Sequence, residues 1–207
     1  MDETKTSTPN SSLHKEPTLL SELIRFALIT LFIVVPIRVF IAQPFIVSGS
    51  SMDPTFENGE YLIVDEITYR LDEPKRGDVI IFKYPQDTSK FFIKRIIGLP
   101  DETVLVEGSK ITITNKSRPE GLTLDEAYLI HPTHSNIRIT LADDEYFVMG
   151  DNRPASSDSR IWGALPRNLI VGRAFVRLLP LGKIDAFPGV HRYEDIEAET
   201  ASTTEEN

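Results

Sequence analysis

Eight short apolar runs, alternating or β-branched, occupy the chain from Glu60 to Leu178, and they leave little room for anything but strands. They read EYLIVDEI, DVIIFKY, FFIKRII, TVLVEG, SKITIT, NIRITL, EYFVMG and LIVGRAFVRL. Each has the length and the Val, Ile, Phe and Tyr content of a strand. Turn signals separate them at Asn58-Gly59, Arg76-Gly77-Asp78, Pro100-Asp101 and Glu107-Gly108. No helical crossover lies between them, so the pairing expected is antiparallel and the body mostly β. One or two helical turns are expected at Thr123–Leu129, where Thr123 and Glu126 have the spacing of a capping box. No internal repeat is visible.

At 207 residues the chain holds one domain with terminal additions, and its net charge of −9 excludes nucleic acid as a partner. Much of the acid follows Arg192, in YEDIEAETASTTEEN. Residues 189–207 are therefore expected to be a solvated, disordered tail, and residues 1–18, rich in Ser, Thr and Pro, a disordered leader. There is no cysteine, which removes thiol catalysis, disulfides and Cys-based zinc sites. His131 and His134 stand three apart, but Pro132 between them spoils a helical metal face; the segment reads as a polar loop. No cofactor or metal is expected.

Ahead of the strands runs LIRFALITLFIVVPIRVFIAQPF. Its uninterrupted apolar part, between Arg25 and Arg38, is too short to span a bilayer unaided. On a helix the two arginines stand about 20 Å apart, and both can snorkel outward. The span then extends over residues 19–42, which suffices, and Pro36 is tolerated in such a helix. A cleaved signal would need small residues at −3 and −1, but Phe40 falls at −3 if Ala42 is −1. A buried helix of a soluble domain would show polar positions at helical spacing, and almost none occur. The segment is read as an uncleaved signal-anchor. Lys5, Lys15 and Arg25 favour a cytoplasmic N-terminus, with the rest of the chain on the far side of the membrane.

Three segments carry chemistry. SGSSMDPT, residues 48–55, presents serines on a tight turn where the chain leaves the anchor. FFIKRIIGLP, residues 91–100, puts Lys94 inside an apolar strand, with Phe92 and Ile96 on its face and Ile93, Arg95 and Ile97 on the other. Such a lysine either lies at a sheet edge or is desolvated. Desolvation lowers its pKa from about 10.4 by up to several units, and a neutral amine is the base a serine needs when no histidine is near. GDNRPASSDSRIWG, residues 150–163, is the densest run of hydrogen-bonding side chains in the chain.

Together these segments resemble the type I signal peptidase family, from PIRVFIAQPF to about Val176. SGSSMDPT is similar to the family's nucleophile box, and the register of Met52, Pro54 and Thr55 places Ser51, rather than Ser48 or Ser50, at the nucleophile. RGDVIIF resembles the next box. FIKRIIGLP resembles the box of the general base and assigns that role to Lys94. GDNRPASSDSR resembles the last box. It implies that Ser156 hydrogen-bonds and orients the lysine and that Asp158 and Arg160 form a supporting ion pair. The resemblance also implies that Met52, Phe92 and Ile93 wall the substrate pockets.

Two departures stand out. Gly49 occupies the position where one branch of the family has an oxyanion-binding serine. Asp101-Glu102 stands where the family usually has Gly-Asp.

The implied fold is antiparallel sheets forming a signal-peptidase-like catalytic domain over residues 43–188, with a small cap subdomain at about 101–144, preceded by one transmembrane helix. The implied activity is membrane-bound removal of signal peptides from secretory preproteins after small residues at −3 and −1. Its place would be the cell membrane, with the bilayer as a partner. Two alternatives stand beside it. One is a catalytically silent, membrane-tethered β domain that binds peptides. The other is a self-cleaving Ser–Lys protease of the SOS repressor type, against which the acidic N-terminus speaks because it supplies no DNA-binding domain.

Overall fold

The computed structural model describes residues 19–34, 42–130 and 135–193. The chain falls into two compact units, residues 1–38 and 39–207. In the first, α1 (Leu19–Ile29) passes into a π-helical stretch, Thr30–Val34. No residue of α1 is buried, and Leu20, Leu23, Phe26 and Phe32 are all exposed. Among the described residues no helix is long and apolar enough to cross a membrane. Residues 35–41, over which the anchor was expected to continue, lie outside the described ones, as do 1–18, 131–134 with the two histidines read as a polar loop, and 194–207.

The second unit contains two sheets, and every ladder among the described residues is antiparallel. The main sheet has β1 (Ala42–Ile46), β2 (Tyr61–Asp65), β3 (Val79–Tyr84), β4 (Asp87–Gly98), β9 (Glu145–Met149), β10 (Leu165–Pro166), β11 (Ile170–Leu179) and β12 (Asp185–Ala186). Their order is β1-β2-β11-β3-β4-β9-β10, with β12 on β11. The second sheet runs β7-β6-β5-β8, from β5 (Thr103–Gly108), β6 (Lys110–Thr114), β7 (Leu122–Thr123) and β8 (Ser135–Thr140). All eight runs singled out in the sequence are strands.

Burial follows the side-chain pattern. The Val-Ile-Ile-Phe run of β3 is buried on both faces, as a central strand requires. In the second sheet only alternate residues go inside: Val104 and Val106 from β5, Ile111 and Ile113 from β6. They pack on Ile97, Phe147 and Met149 of the main sheet, so the two sheets share one core. Each such side chain contributes about 1.5–3 kcal/mol by leaving water.

Three expectations are corrected. Residues 123–129 form no helix. Thr123 is held in β7 opposite Thr112, and Glu126 turns its carboxylate to Arg153 instead of back to a helix terminus. Gly189–Tyr193 is not part of a solvated tail: Tyr193 is buried in the shared core. Finally, Ala42, read as the last residue of the anchor, is the first residue of β1, which pairs with β2 along its whole length.

Where the family usually has Gly-Asp, Asp101 takes a left-handed conformation, φ 62°. Aspartate tolerates that region better than most residues. Glu102 beside it is buried and pairs with Arg76 at 2.6 Å.

Candidate active site

Ser51 sits on the turn between β1 and β2, and that turn is stitched down on both sides. Met52 and Phe56, one and five residues on, are fully buried, with the Phe56 amide donating to Met52 O at 2.9 Å. On the other side residues 150–152 hold the backbone. The Asn152 amide donates to Ser51 O and its Nδ2 to Ser50 O, both at 3.0 Å. Thr55 Oγ1 donates to Asp151 Oδ2 at 2.5 Å.

Gly150 makes this approach possible. A Cβ there would stand 2.4 Å from Ser51 O and 2.3 Å from Ser156 Oγ, and the first of these is backbone that cannot turn aside.

Lys94 stands in the middle of the main sheet, opposite Ile80 of β3, so it is not an edge lysine. β4 is exposed in its first half and fully inside from Lys94 onward, where Lys94 itself is 3% exposed. Its Nζ lies 2.6 Å from Ser51 Oγ and donates to Ile93 O at 2.8 Å. Among the described residues no carboxylate pairs with it. Burial pushes its pKa down to about 8, against the pull of the Asp158 and Asp151 carboxylates and with a small further lowering from Arg160. Desolvation penalises the ammonium form, so the amine spends much of its time neutral near pH 8.

The loop 150–160 is packed rather than solvated. Asp158 is fully buried and caps α2 (Ser159–Trp162); its Oδ1 accepts from Arg160 Nε at 2.7 Å and its Oδ2 from the Gly150 amide at 3.0 Å. The Asp158–Arg160 pair is thus formed, and it braces Gly150, the residue that follows β9. Ser156 is buried beside them, but its hydroxyl has no hydrogen-bond partner among the described residues. The bond from Ser156 to Lys94 implied by the resemblance is not made; Nζ is occupied by Ser51 and Ile93 O instead.

One group in this site was not legible from the sequence. Arg95, next to the lysine but on the opposite face, forms a two-pronged ion pair with Asp151, at 2.9 and 2.6 Å, and both side chains are 1% exposed. The signal available was a second cation inside an apolar strand. Nothing local pointed to Asp151, which is 56 residues away.

A cavity of about 210 Å³ opens at Ser51 and Lys94. Phe45, Ile46, Leu62, Ile81, Phe92 and Ile93 give it apolar walls. Phe92 and Ile93 therefore stand where they were expected. Met52 does not line the cavity; it lies beneath, packed in the core with Leu62 and Ile81.

A hydroxyl held 2.6 Å from a desolvated amine, at the mouth of an apolar cleft, is the geometry of a nucleophile with its base. The comparisons agree in class. The family described as "Signal peptidase, peptidase S26" matches residues 20–179. A Synechocystis sp. protein described as "Probable signal peptidase I-2" is 39% identical over 155 residues, covering 72% of this chain and 68% of that one. Another from the same organism, "Probable signal peptidase I-1", is 34% identical, covering 84% and 90%. A "Signal peptidase I" of Leptolyngbya laminosa is 36% identical, covering 88% and 91%. The chain belongs to the signal peptidase family, peptidase S26, and is a serine endopeptidase of the signal peptidase I kind.

Proposed function

We propose that this chain removes signal peptides from secretory preproteins while anchored in the cell membrane, with Ser51 as nucleophile and Lys94 as general base. The observation that carries the assignment is the 2.6 Å approach of the buried Lys94 amine to Ser51 Oγ. Neutral Lys94 takes the Ser51 proton as Oγ attacks the scissile carbonyl. The oxyanion is held by the Ser51 amide; the Gly49 amide is already committed to Asn58 Oδ1 at 2.9 Å. The Lys94 ammonium then protonates the leaving amine, and the neutral amine so restored activates the water that hydrolyses the acyl-enzyme. Asp158, Arg160 and Asp151 set the loop against which Ser51 is held. Ser156 lies in this loop, packed against Gly150, with no hydrogen-bond partner for its hydroxyl among the described residues.

Residues from 19 to about 41 are the membrane anchor in this proposal, with the N-terminus cytoplasmic and the catalytic unit, from Ala42 through residue 188 and its continuation to Tyr193, on the far side. Its support is the exposure of large apolar side chains all round Leu19–Ile33, which water disfavours and lipid does not. A substrate would lie in the cleft as an extended strand, sending its −1 and −3 side chains to the same apolar wall. Cleavage of a precursor with Ala at −3 and −1 should therefore exceed cleavage of the Phe −3 form by about 10- to 100-fold, since forcing a bulky ring against these packed walls costs about 1–3 kcal/mol. Equal rates would exclude the cavity as the specificity site.

Activity should also follow the lysine. With a pKa of about 8, kcat/KM rises nearly tenfold per pH unit below that value and levels off above it. For stability the sign is the same. Between about 8 and 10.5 the unfolded chain holds a proton on Lys94 that the folded chain has lost, so this group makes folding more favourable as pH rises through the window. A rate profile that is flat from pH 6 to 9 would remove Lys94 from the base role.

A further inference from the structure

The segment Phe187–Tyr193 contributes no side chain to the cleft, yet it closes the ring of contacts behind it. Arg95, whose neighbour in the strand is Lys94, sends Nε and Nη2 to Asp151 and Nη1 to two carbonyls, Gly77 O at 2.9 Å and Gly189 O at 2.5 Å. Asp151 in turn accepts from Thr55 of the nucleophile turn, and a Cβ on Gly189 would stand 2.4 Å from Thr55 Cγ2. The segment thus touches both arms of the site, one through Arg95 and one through Thr55.

Its seat is built to fit. A Cβ on Gly77, which is at φ 86°, would stand 1.8 Å from His191 O, so only glycine lets the segment lie down there. The His191 ring packs on Tyr128 and Tyr193 with centroids 4.8 and 4.6 Å away. Arg192 reaches Asp78 at 3.3 Å. Tyr193 is buried, with its hydroxyl 3.1 Å from that of Tyr128, and the Tyr128 ring lies 4.2 Å from the Arg95 guanidinium. Composition alone reads this stretch as tail. The contacts make it a clamp on Arg95.

We propose that Phe187–Tyr193 is a positioning strap, which holds Arg95 and Asp151 so that Lys94 and Ser51 stay in register. This rests on the Ser51–Lys94 assignment above. Residues acting this way alter the rate of acylation rather than substrate binding, because the cavity walls belong to other elements. A displacement of the reacting atoms by about 1 Å costs up to 100-fold in rate.

The test uses the full membrane-bound chain and a precursor with Ala at −3 and −1, with kcat and KM corrected for the folded fraction from a thermal melt. Removing residues 194–207 should leave kcat as it is. Removing 189–207 should lower kcat by about tenfold or more at nearly constant KM, with an equal loss in acylation of Ser51 by a small serine-reactive probe that ignores the cavity. Gly77→Ala should lower kcat strongly in the full chain and much less after removal of 189–207, since the carbonyl it strikes is then gone. Where the shortened chain does not fold, Tyr193→Ala should lower kcat and Tyr193→Phe, which keeps the ring, should largely restore it. Unchanged kcat without residues 189–207 or in Tyr193→Ala, a loss confined to KM, or additive effects of Gly77→Ala and the truncation would overturn the strap. Cleavage persisting in Ser51→Ala would overturn the site assignment itself, so the two failures are told apart.

Discussion

Lys94→Met is expected to abolish precursor cleavage, by about 10⁴-fold or more, and at the same time to raise the melting temperature at pH 7. The two effects have one cause. Lys94 is 3% exposed, pairs with no carboxylate among the described residues, and carries a pKa pushed down to about 8. Below that pH the folded chain holds an ammonium without an ionic partner inside the sheet, which costs stability that an unfolded chain does not lose. Methionine has nearly the same length, needs no proton and packs against Phe92 and Ile96. Ser51→Ala should remove cleavage to the same extent without the gain in stability, because the lysine stays buried. A site kept for packing would behave in the opposite way, with Lys94→Met tolerated in activity. Melting curves and single-turnover cleavage of the two variants decide between these outcomes.

Arg95→Met should be the most damaging single change to the fold. It strands the Asp151 carboxylate, 1% exposed, without its guanidinium and leaves the Gly189 carbonyl without its Arg95 donor. Breaking a buried ion pair from one side costs about 3–5 kcal/mol. For a unit of this size that is on the order of 10 °C in melting temperature. Arg95→Lys keeps the charge but not the planar fork, so it should recover only part of the loss. Pairing Arg95→Met with Asp151→Leu should recover more of it, since neither charge is then stranded. If Arg95→Met melts with the unchanged chain, the network behind the site carries no structural weight.

The β character of the body was legible because period-two burial writes itself into the sequence: Val104 and Val106, Ile111 and Ile113 alternate, and the sheet they form obeys the alternation. The resemblance, through Met52, Pro54 and Thr55, singled out Ser51 over Ser48 and Ser50, and it is Ser51 whose hydroxyl lies 2.6 Å from Lys94 Nζ. What the sequence hid depends on distance. Arg95 finds Asp151 across 56 residues, and Glu126 abandons a local cap for Arg153 across 27. Neither choice leaves a trace within a window of a few residues. Ala42–Ile46 was hidden by its composition, since an edge strand that follows an apolar anchor looks like more anchor. The strap was hidden because the group that holds Arg95 is a backbone carbonyl, that of Gly189, which no side-chain pattern announces. Met52 looked like a pocket wall beside the nucleophile, but its side chain goes into the core while Ser51 goes to the cleft.

The pairing of Ser51 with Lys94 is the centre of the proposed mechanism, and acylation reports on it directly. The membrane-bound chain is treated at pH 8 with a small serine-reactive acylating probe, and the adduct is mapped by peptide mass spectrometry. The predicted result is a single adduct on Ser51, formed in unchanged chain and slowed by at least about 10³-fold in Lys94→Met. An adduct on Ser48, Ser50, Ser156 or Ser157 in place of Ser51, or equal acylation of Ser51 with and without the lysine, would contradict it.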